Sequence, residues 1–257
     1  MFIEPVARFS SPFGTKFGIP RQAGLVPELK GRIVFEHGFR SADAVRGLEG
    51  FDFIWLIWGF SANRPRQPRK TESKDQQSAF RATVRPPRLG GNERVGVFAS
   101  RSPFRPNGLG LSSVRIGSIE YEAKGPDGKP LGPVINVLGA DLMDGTPIYD
   151  VKPYVTYADS HPGAASGFVD DQVWKPLKVV FDPSVTSAGP EAGKEAMVPV
   201  PGLKEADAAA LRDVLAQDPR PSFHNDPGKV YGMTFDNLDV RFKVNGEVLT
   251  VIGIRSL

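Results

Sequence analysis

The sequence predicts a mostly β protein, an N-terminal antiparallel barrel or strongly curved sheet followed by a small α+β domain. Three observations carry this. Short apolar or alternating runs follow one another with loops, not long helices, between them, which argues against a βαβ array. The one strong helical pattern, Leu203–Leu215, comes late, with Leu203, Ala206, Ala210, Leu211, Val214 and Leu215 on one face and Pro219 as its stop. A small, polar, glycine-rich stretch, Ala158–Phe168, separates the two halves and gives domains over 1–160 and 165–257. With 257 residues, 40% of them hydrophobic, the chain is long enough to bury one large core or two smaller ones.

The first half reads element by element. Phe2–Phe9 alternates as a first strand, so the start reads as mature protein and not as a leader. Ser10–Lys16 is a loop, continued by Phe17–Gln22 (FGIPRQ). Gly31–Phe35 is a short strand, and Ser41–Leu48 a short helix with Ser41 as N-cap. Phe51–Phe60 (FDFIWLIWGF) is nearly continuous apolar and aromatic sequence of strand length, a buried central strand with Trp55 and Trp58 in the core. Ser61–Ala79 has almost no apolar residue and predicts a mobile inserted loop. Ala82–Arg85 and Val95–Ala99 are strands on either side of Pro86–Asn92. Leu111–Glu122 alternates cleanly, Pro126-Asp127-Gly128 marks a turn, and Val134–Leu138 is a further strand. Asp141–Lys152 (DLMDGTPIYDVK) then reads as a loop with three aspartates around a Gly-Thr-Pro turn.

In the second half Leu177–Phe181 is a strand and Ser184–Lys194 a loop. Asp218–His224 (DPRPSFH) forms a stiff loop after the helix. Val230–Phe235, Leu238–Val244 and Glu247–Ile254 are strands, and Asn245-Gly246 is a strong hairpin signal.

Composition narrows the chemistry. There is no cysteine, which excludes disulfides, thiolate nucleophiles and cysteine zinc sites, and the three histidines, His37, His161 and His224, lie far apart, so no metal centre is expected. No apolar run is long enough to cross a bilayer, and a cytoplasmic location is expected. Charge is unevenly placed: Ser61–Arg105 carries 11 Lys and Arg against 3 Asp and Glu, while the net charge of the whole chain is only +3. That segment is rich in arginine and interrupted by Phe80, Phe98 and Phe104, a pattern suited to a phosphate backbone and unstacked bases.

The densest run of special residues is Arg101–Ser112 (RSPFRPNGLGLS). Pro103 and Pro106 fix φ and remove donors, so the run is a rigid loop, and the glycines allow close approach to the backbone. Two guanidinium groups and a phenyl ring on such a loop suit a flat or anionic partner. Gly108-Leu109-Gly110 lacks the third glycine of the dinucleotide fingerprint and no helix follows it, which argues against a doubly wound cofactor site.

Five pieces taken in order carry a family resemblance: Ile19–Gln22, Arg85–Gly91 (RPPRLGG), Arg101–Asn107, Asp141–Pro147 and Lys152–Tyr154, with Asp218–Pro221 as a sixth in the second half. Together they resemble the TrmO (TsaA-like) family of S-adenosylmethionine-dependent tRNA methyltransferases. The resemblance implies a single-sheet β-barrel cofactor domain, a homodimer, and N6-methylation of threonylcarbamoyl-adenosine 3′ of the anticodon in threonine tRNAs. It implies cofactor contacts at Pro20, Arg21, Gln22, Ser61, Ala62, Arg101, Leu111, Asp141, Leu142, Met143 and Asp144, of which Ser61, Ala62 and Leu111 are carried by location more than by residue type. For the general base, Asp144, Asp150 and Tyr154 are the candidates, with Tyr149 and Tyr157 as further hydroxyls. Arg85, Arg88, Arg105, Arg220 and Phe223 are the candidates for the tRNA, whose single-stranded anticodon loop offers bases to stack on and whose threonyl carboxylate wants an arginine. Two rivals remain beside this reading: a small-molecule methyltransferase and a non-catalytic RNA-binding protein.

Overall fold

The computed structural model describes residues 2–62, 82–86, 93–171, 174–185, 200, 202–221, 224 and 226–257. Among these, twelve strands run in chain order as β1 (Ala7–Ser10), β2 (Lys30–Phe35), β3 (Phe53–Gly59), β4 (Thr83–Val84), β5 (Val95–Gly96), β6 (Leu109–Lys124), β7 (Pro130–Leu138), β8 (Pro147–Pro153), β9 (Lys178–Phe181), β10 (Tyr231–Phe235), β11 (Leu238–Asn245) and β12 (Val248–Ser256). Most of the polar insertion after Ala62, together with Arg88 and Phe223, lies outside the described residues.

Six strands close into an antiparallel barrel in the order β1-β2-β7-β6-β3-β8. Alternation explains the wall. Ile54, Leu56 and Trp58 of β3 and Val114 of β6 point inward and are buried, while Phe53, Leu111 and Arg115 are exposed. Each fully buried side chain of this size contributes about 1.5–3 kcal/mol, so a shift of register by one residue, which would turn these side chains out, is strongly disfavoured. Gly110 is the close-approach position: the ring of Trp58 lies over it, and a Cβ there would stand 2.4 Å from Trp58 Cε2.

Several sequence expectations need correction. The first strand begins only at Ala7, and Trp55, expected in the core with Trp58, is half-buried and packs on Tyr154. The stretch read as a continuous aspartate-rich loop contains β8, which pairs with both β3 and β1 and closes the barrel. Its alternation is hidden because Pro147 and Pro153 occupy its ends, where a missing donor is tolerated, and the register shifts opposite Ile57/Trp58. Of Val95–Ala99 only Val95–Gly96 is a strand, and Val97–Ala99 is a 3-10 turn.

The second half is a four-stranded sheet, β10-β11-β12-β9, with β9 parallel to β12, covered by the helix Glu205–Ala216. That helix buries Ala210, Leu211, Val214 and Leu215, the face its periodicity announced. Asp236 and Asn237 take φ of 47° and 62° between paired Phe235 and Leu238, the two-residue turn that matches strand twist.

Packing does not follow the chain boundary. The β1–β2 connection, residues 11–29, leaves the barrel and enters the second core, where Phe13, Val26 and Leu29 are buried among residues of the helix and sheet. Phe13 meets Phe235 edge-on at 5.6 Å, Phe17 stacks on Phe242 at 6.4 Å, and the Asp236 amide donates to the Pro12 carbonyl. Gly18, at φ 96°, passes so close to Met233 that a Cβ would fall 2.5 Å from its terminal carbon. The two halves are therefore joined through this connection.

Among the described residues no helix is long and apolar enough to cross a membrane, and no group of three or more His, Asp or Glu is arranged to hold a metal ion.

Candidate cofactor and acceptor site

Strand register sorts the barrel's loops to two ends. The connections 11–29, 60–108 and 139–146 emerge at one end, because Ser10, Lys30, Gly59, Leu109, Leu138 and Pro147 all terminate strands there. The connections 36–52 and 125–129 lie at the other. The three motifs FGIPRQ, Arg101–Asn107 and Asp141–Pro147, spread over more than a hundred residues of sequence, thus share one rim.

Hydrogen bonds tie them together. Arg101 Nη1 donates to Gln22 Oε1 at 2.5 Å. Asp141 accepts from Ser112 Oγ at 2.6 Å and from the backbone amide of Ala23, and Ser112 Oγ in turn accepts from the indole Nε1 of Trp58 at 3.0 Å. Trp58 and Ser112 are buried inner-wall residues. A chain from barrel core to rim therefore fixes one carboxylate. Burial pushes the Asp141 carboxyl above its ordinary value, against the opposing effects of the bonds from Ser112 and Ala23 and the nearby Arg101 charge. Sequence reasoning missed Ser112, Trp58 and Ala23. The available signal was a serine two residues before Val114 on the apolar face of an alternating strand.

The remaining cofactor candidates divide. Pro20 is buried, and Leu142 is buried in the barrel core, so neither presents an exposed side chain at the rim. Met143 is half-buried, and its carbonyl accepts from Thr146 N. The Ala62 carbonyl accepts from Lys16 Nζ at 2.9 Å, which ties the end of β3 to the 11–29 connection, and Ser61 beside it is exposed. Leu111 is exposed on the outer face of β6, opposite to Ser112. Arg21 turns away from Gln22: its Nη2 donates to the Asp218 carbonyl at 3.4 Å across the seam with the second half.

The three base candidates do not meet. Asp144 is on the shared rim, exposed, with Oδ1 accepting from Ser11 N at 3.0 Å. Asp150 lies on the outer wall of β8, accepts from the Val151 amide and pairs with Lys152 at 3.3 Å. Tyr154 packs on Phe53 and Trp55 at the far end of the barrel. Within one chain the register removes Asp150 and Tyr154 from the cluster and leaves Asp144. Tyr149 lies against Gly59 near the rim, and Tyr157 is almost fully exposed beyond the far end.

Two of the arginines assigned to tRNA are used internally. Arg105 Nη1 donates to the Ser100 carbonyl at 2.6 Å and staples its own loop. Arg220 forms a two-pronged pair with Asp218 at 2.8 and 2.9 Å, and that hydrogen bonding holds its guanidinium above its ordinary value. Arg85 is exposed beside β4, and Phe98 and Phe104 are exposed on the loop before β6.

Two family models match the chain. The family model described as tRNA-methyltransferase O N-terminal domain matches residues 8–160, and the TrmO C-terminal domain matches residues 175–257. A tRNA (adenine(37)-N6)-methyltransferase of Escherichia coli is 34% identical over 98% of this chain and 96% of its own. A putative S-adenosylmethionine-dependent methyltransferase of Pseudomonas aeruginosa is 35% identical over 93% of this chain and 91% of its own. The crystal structure of TrmO from P. aeruginosa superposes with a TM-score of 0.68 at 29% identity, covering all of this chain and 97% of that one.

Proposed function

Because the chain belongs to the TrmO family of tRNA methyltransferases along nearly its whole length, we propose that it methylates N6 of threonylcarbamoyl-adenosine, 3′ of the anticodon in threonine tRNAs, using S-adenosylmethionine. On the same reading it works in the cytoplasm as a homodimer. The observation that carries the site is the hydrogen-bonded convergence of Gln22, Ala23, Arg101 and Asp141 at one barrel rim.

The donor set fits the cofactor. Asp141 is a fixed acceptor for an ammonium or a ribose diol, Arg101 is a donor for a carboxylate, and Gln22 orients that guanidinium. On this reading the backbone of Pro20, Leu142 and Met143 meets the cofactor beside them. S-adenosylmethionine, when bound, supplies an electrophilic methyl group on sulfonium. The acceptor nitrogen lies between a purine and a carbamoyl group, so its lone pair is delocalised and it is a weak nucleophile. The protein's task is to hold that nitrogen in line and to take its proton. Asp144 is the carboxylate of this chain at the rim that is exposed to an incoming base, and it is the general base on this reading, with the Ser11 amide fixing one of its oxygens. Arg85, Phe98 and Phe104 give a cation and two exposed rings nearby on the chain for stacking on splayed anticodon-loop bases.

The test is methyl transfer from labelled S-adenosylmethionine to two tRNA pools, one carrying threonylcarbamoyl-adenosine and one lacking it, followed by nucleoside analysis. Label in methylated threonylcarbamoyl-adenosine from the modified pool alone is expected. Cofactor binding without label in either pool would turn the reading towards a small-molecule acceptor.

A further inference from the structure

The 11–29 connection faces two ways. It contains no strand or helix, so its conformation is set by what it bonds and packs against. On the side of the rim, the Ala23 amide donates to Asp141, Gln22 Oε1 accepts from Arg101 Nη1, and Gly24 N donates to the Gly139 carbonyl at 2.8 Å. The same connection grips Asp144 twice. The Ser11 amide donates to Asp144 Oδ1 at 3.0 Å, and the Asp144 amide donates to the Phe13 carbonyl at 2.9 Å.

On the other side the connection is sunk in the second core. Phe13 is fully buried with its ring against Phe235, Phe17 stacks on Phe242, and Gly18 lies against the end of Met233. Gln217 Nε2, just past the helix, donates to the Leu25 carbonyl at 3.4 Å, and Lys30 Nζ pairs with Asp207 at 2.7 Å where the connection enters β2. Phe13 therefore has two attachments: its carbonyl holds Asp144 and its ring holds Phe235. Without that core Phe13, Phe17, Val26 and Leu29 would face water, and the turn carrying Gln22 and Ala23 would lose the packing that places it.

We infer that the second half is a clamp that positions the cofactor cluster and Asp144. It holds the connection through Phe13, Phe17 and Gly18, and these are positioning residues, acting through Gln22, Ala23 and Asp144. The inference rests on the S-adenosylmethionine reading above and gives the C-terminal domain a part in the chemistry of the barrel. Coupling between two sites is reciprocal. If the clamped connection favours the cofactor, a cofactor bound at the barrel rim must stabilise β10 and β11 in the second half.

The experiment uses the full chain as wild type, Met233→Ala and Phe235→Leu, with Met233→Leu as a rescue of similar volume. Leu249→Ala is the control: it is buried in the same core, but on β12, two strands away from β10. All are studied at a temperature where melting curves show them folded. Hydrogen exchange is measured first without cofactor. The amides of Ala23, Gly24 and Asp144 are expected to exchange faster, relative to those of β3, in Met233→Ala and Phe235→Leu and not in the control or the rescue. Calorimetric titration with S-adenosylmethionine should then show about tenfold weaker binding in the same two variants alone. In wild type the cofactor should slow exchange in β10 and β11. Wild-type exchange and affinity in folded Met233→Ala and Phe235→Leu overturn the inference. So does an equal loss in Leu249→Ala, which would mean that the second core supports the fold without positioning the rim. A wild-type protein that takes up no S-adenosylmethionine refutes the cofactor reading instead, and the exchange measured without cofactor still decides whether the second half holds the rim.

Discussion

Replacing Ser112 with alanine tests whether the buried chain from Trp58 to Asp141 sets the cofactor site. The hydroxyl accepts from Trp58 Nε1 at 3.0 Å and donates to Asp141 Oδ1 at 2.6 Å, and both Ser112 and Trp58 are less than a tenth exposed. Removing it strands a buried indole N–H, which costs about 1–3 kcal/mol. For a barrel of this size each kcal/mol lowers the melting temperature by about 2–4 °C. The effect on Asp141 is separate. A hydrogen bond to an ionised group contributes about 1.5–3 kcal/mol, and its loss disfavours the carboxylate whose burial already works against it. Cofactor affinity should therefore fall by roughly tenfold to a hundredfold on the acid side of its pH profile and approach wild type at alkaline pH, where Asp141 is ionised in both proteins. Ser112→Thr keeps the hydroxyl and should keep the profile. Calorimetric titration of S-adenosylmethionine between pH 5 and 9 measures this directly. A Ser112→Ala protein with a lowered melting temperature but an unshifted pH profile would mean that the serine supports the fold alone, and the relay argument would be refuted.

Other expectations follow from the same contacts. Asp141 has its folded-state pKa raised above the ordinary 3.8, so its contribution to stability is complete below about that pH and is lost as pH rises through the raised value; Asp141→Asn should melt higher than wild type at pH 7, converge with it in acid, and bind S-adenosylmethionine more weakly. Gly110→Ala places a methyl 2.4 Å from Trp58 and should cost about 1–3 kcal/mol in denaturant unfolding, with a change in tryptophan emission. The Arg220 side chain is only 12% exposed, so Asp218→Ala, which removes that cation's carboxylate and leaves it the His224 carbonyl, should destabilise by about 2–3 kcal/mol, more than Arg220→Ala, and the double variant should recover part of the loss. Tyr231 carries a buried hydroxyl without a hydrogen-bond partner among the described residues, and Tyr231→Phe should be neutral or stabilising by about 1 kcal/mol in the same assay.

Much of this molecule is written locally. The alternation of Leu109–Lys124, the apolar run of Phe53–Gly59 and the helical face ending at Leu215 each depend on neighbours two to four residues away, so periodicity alone identifies them. The absence of a strand-to-helix glycine turn was enough to reject a doubly wound cofactor fold. The motifs that line the rim were legible as motifs because proline, glycine, arginine and aspartate are dense there.

What the sequence withheld depends on partners far away in the chain. Pro147–Pro153 closes the barrel only because β1 and β3 present open edges to it, and its own alternation is masked by Tyr149, Asp150 and Lys152. Ser10–Gln22 read as a loop, yet Phe13 is buried with the C-terminal sheet and Phe17 packs against it, since a hydrophobic side chain records that it wants burial and not which core supplies it. The roles of the charged side chains were the least legible. Arg21, Arg105 and Arg220 are equivalent in a sequence, and the fold divides them: Arg105 turns onto a carbonyl of its own loop, Arg220 onto the Asp218 carboxylate, and Arg21 onto the Asp218 carbonyl across the seam. A guanidinium takes whichever acceptors the backbone sets within a few ångströms, and that backbone is placed by the packing of both cores.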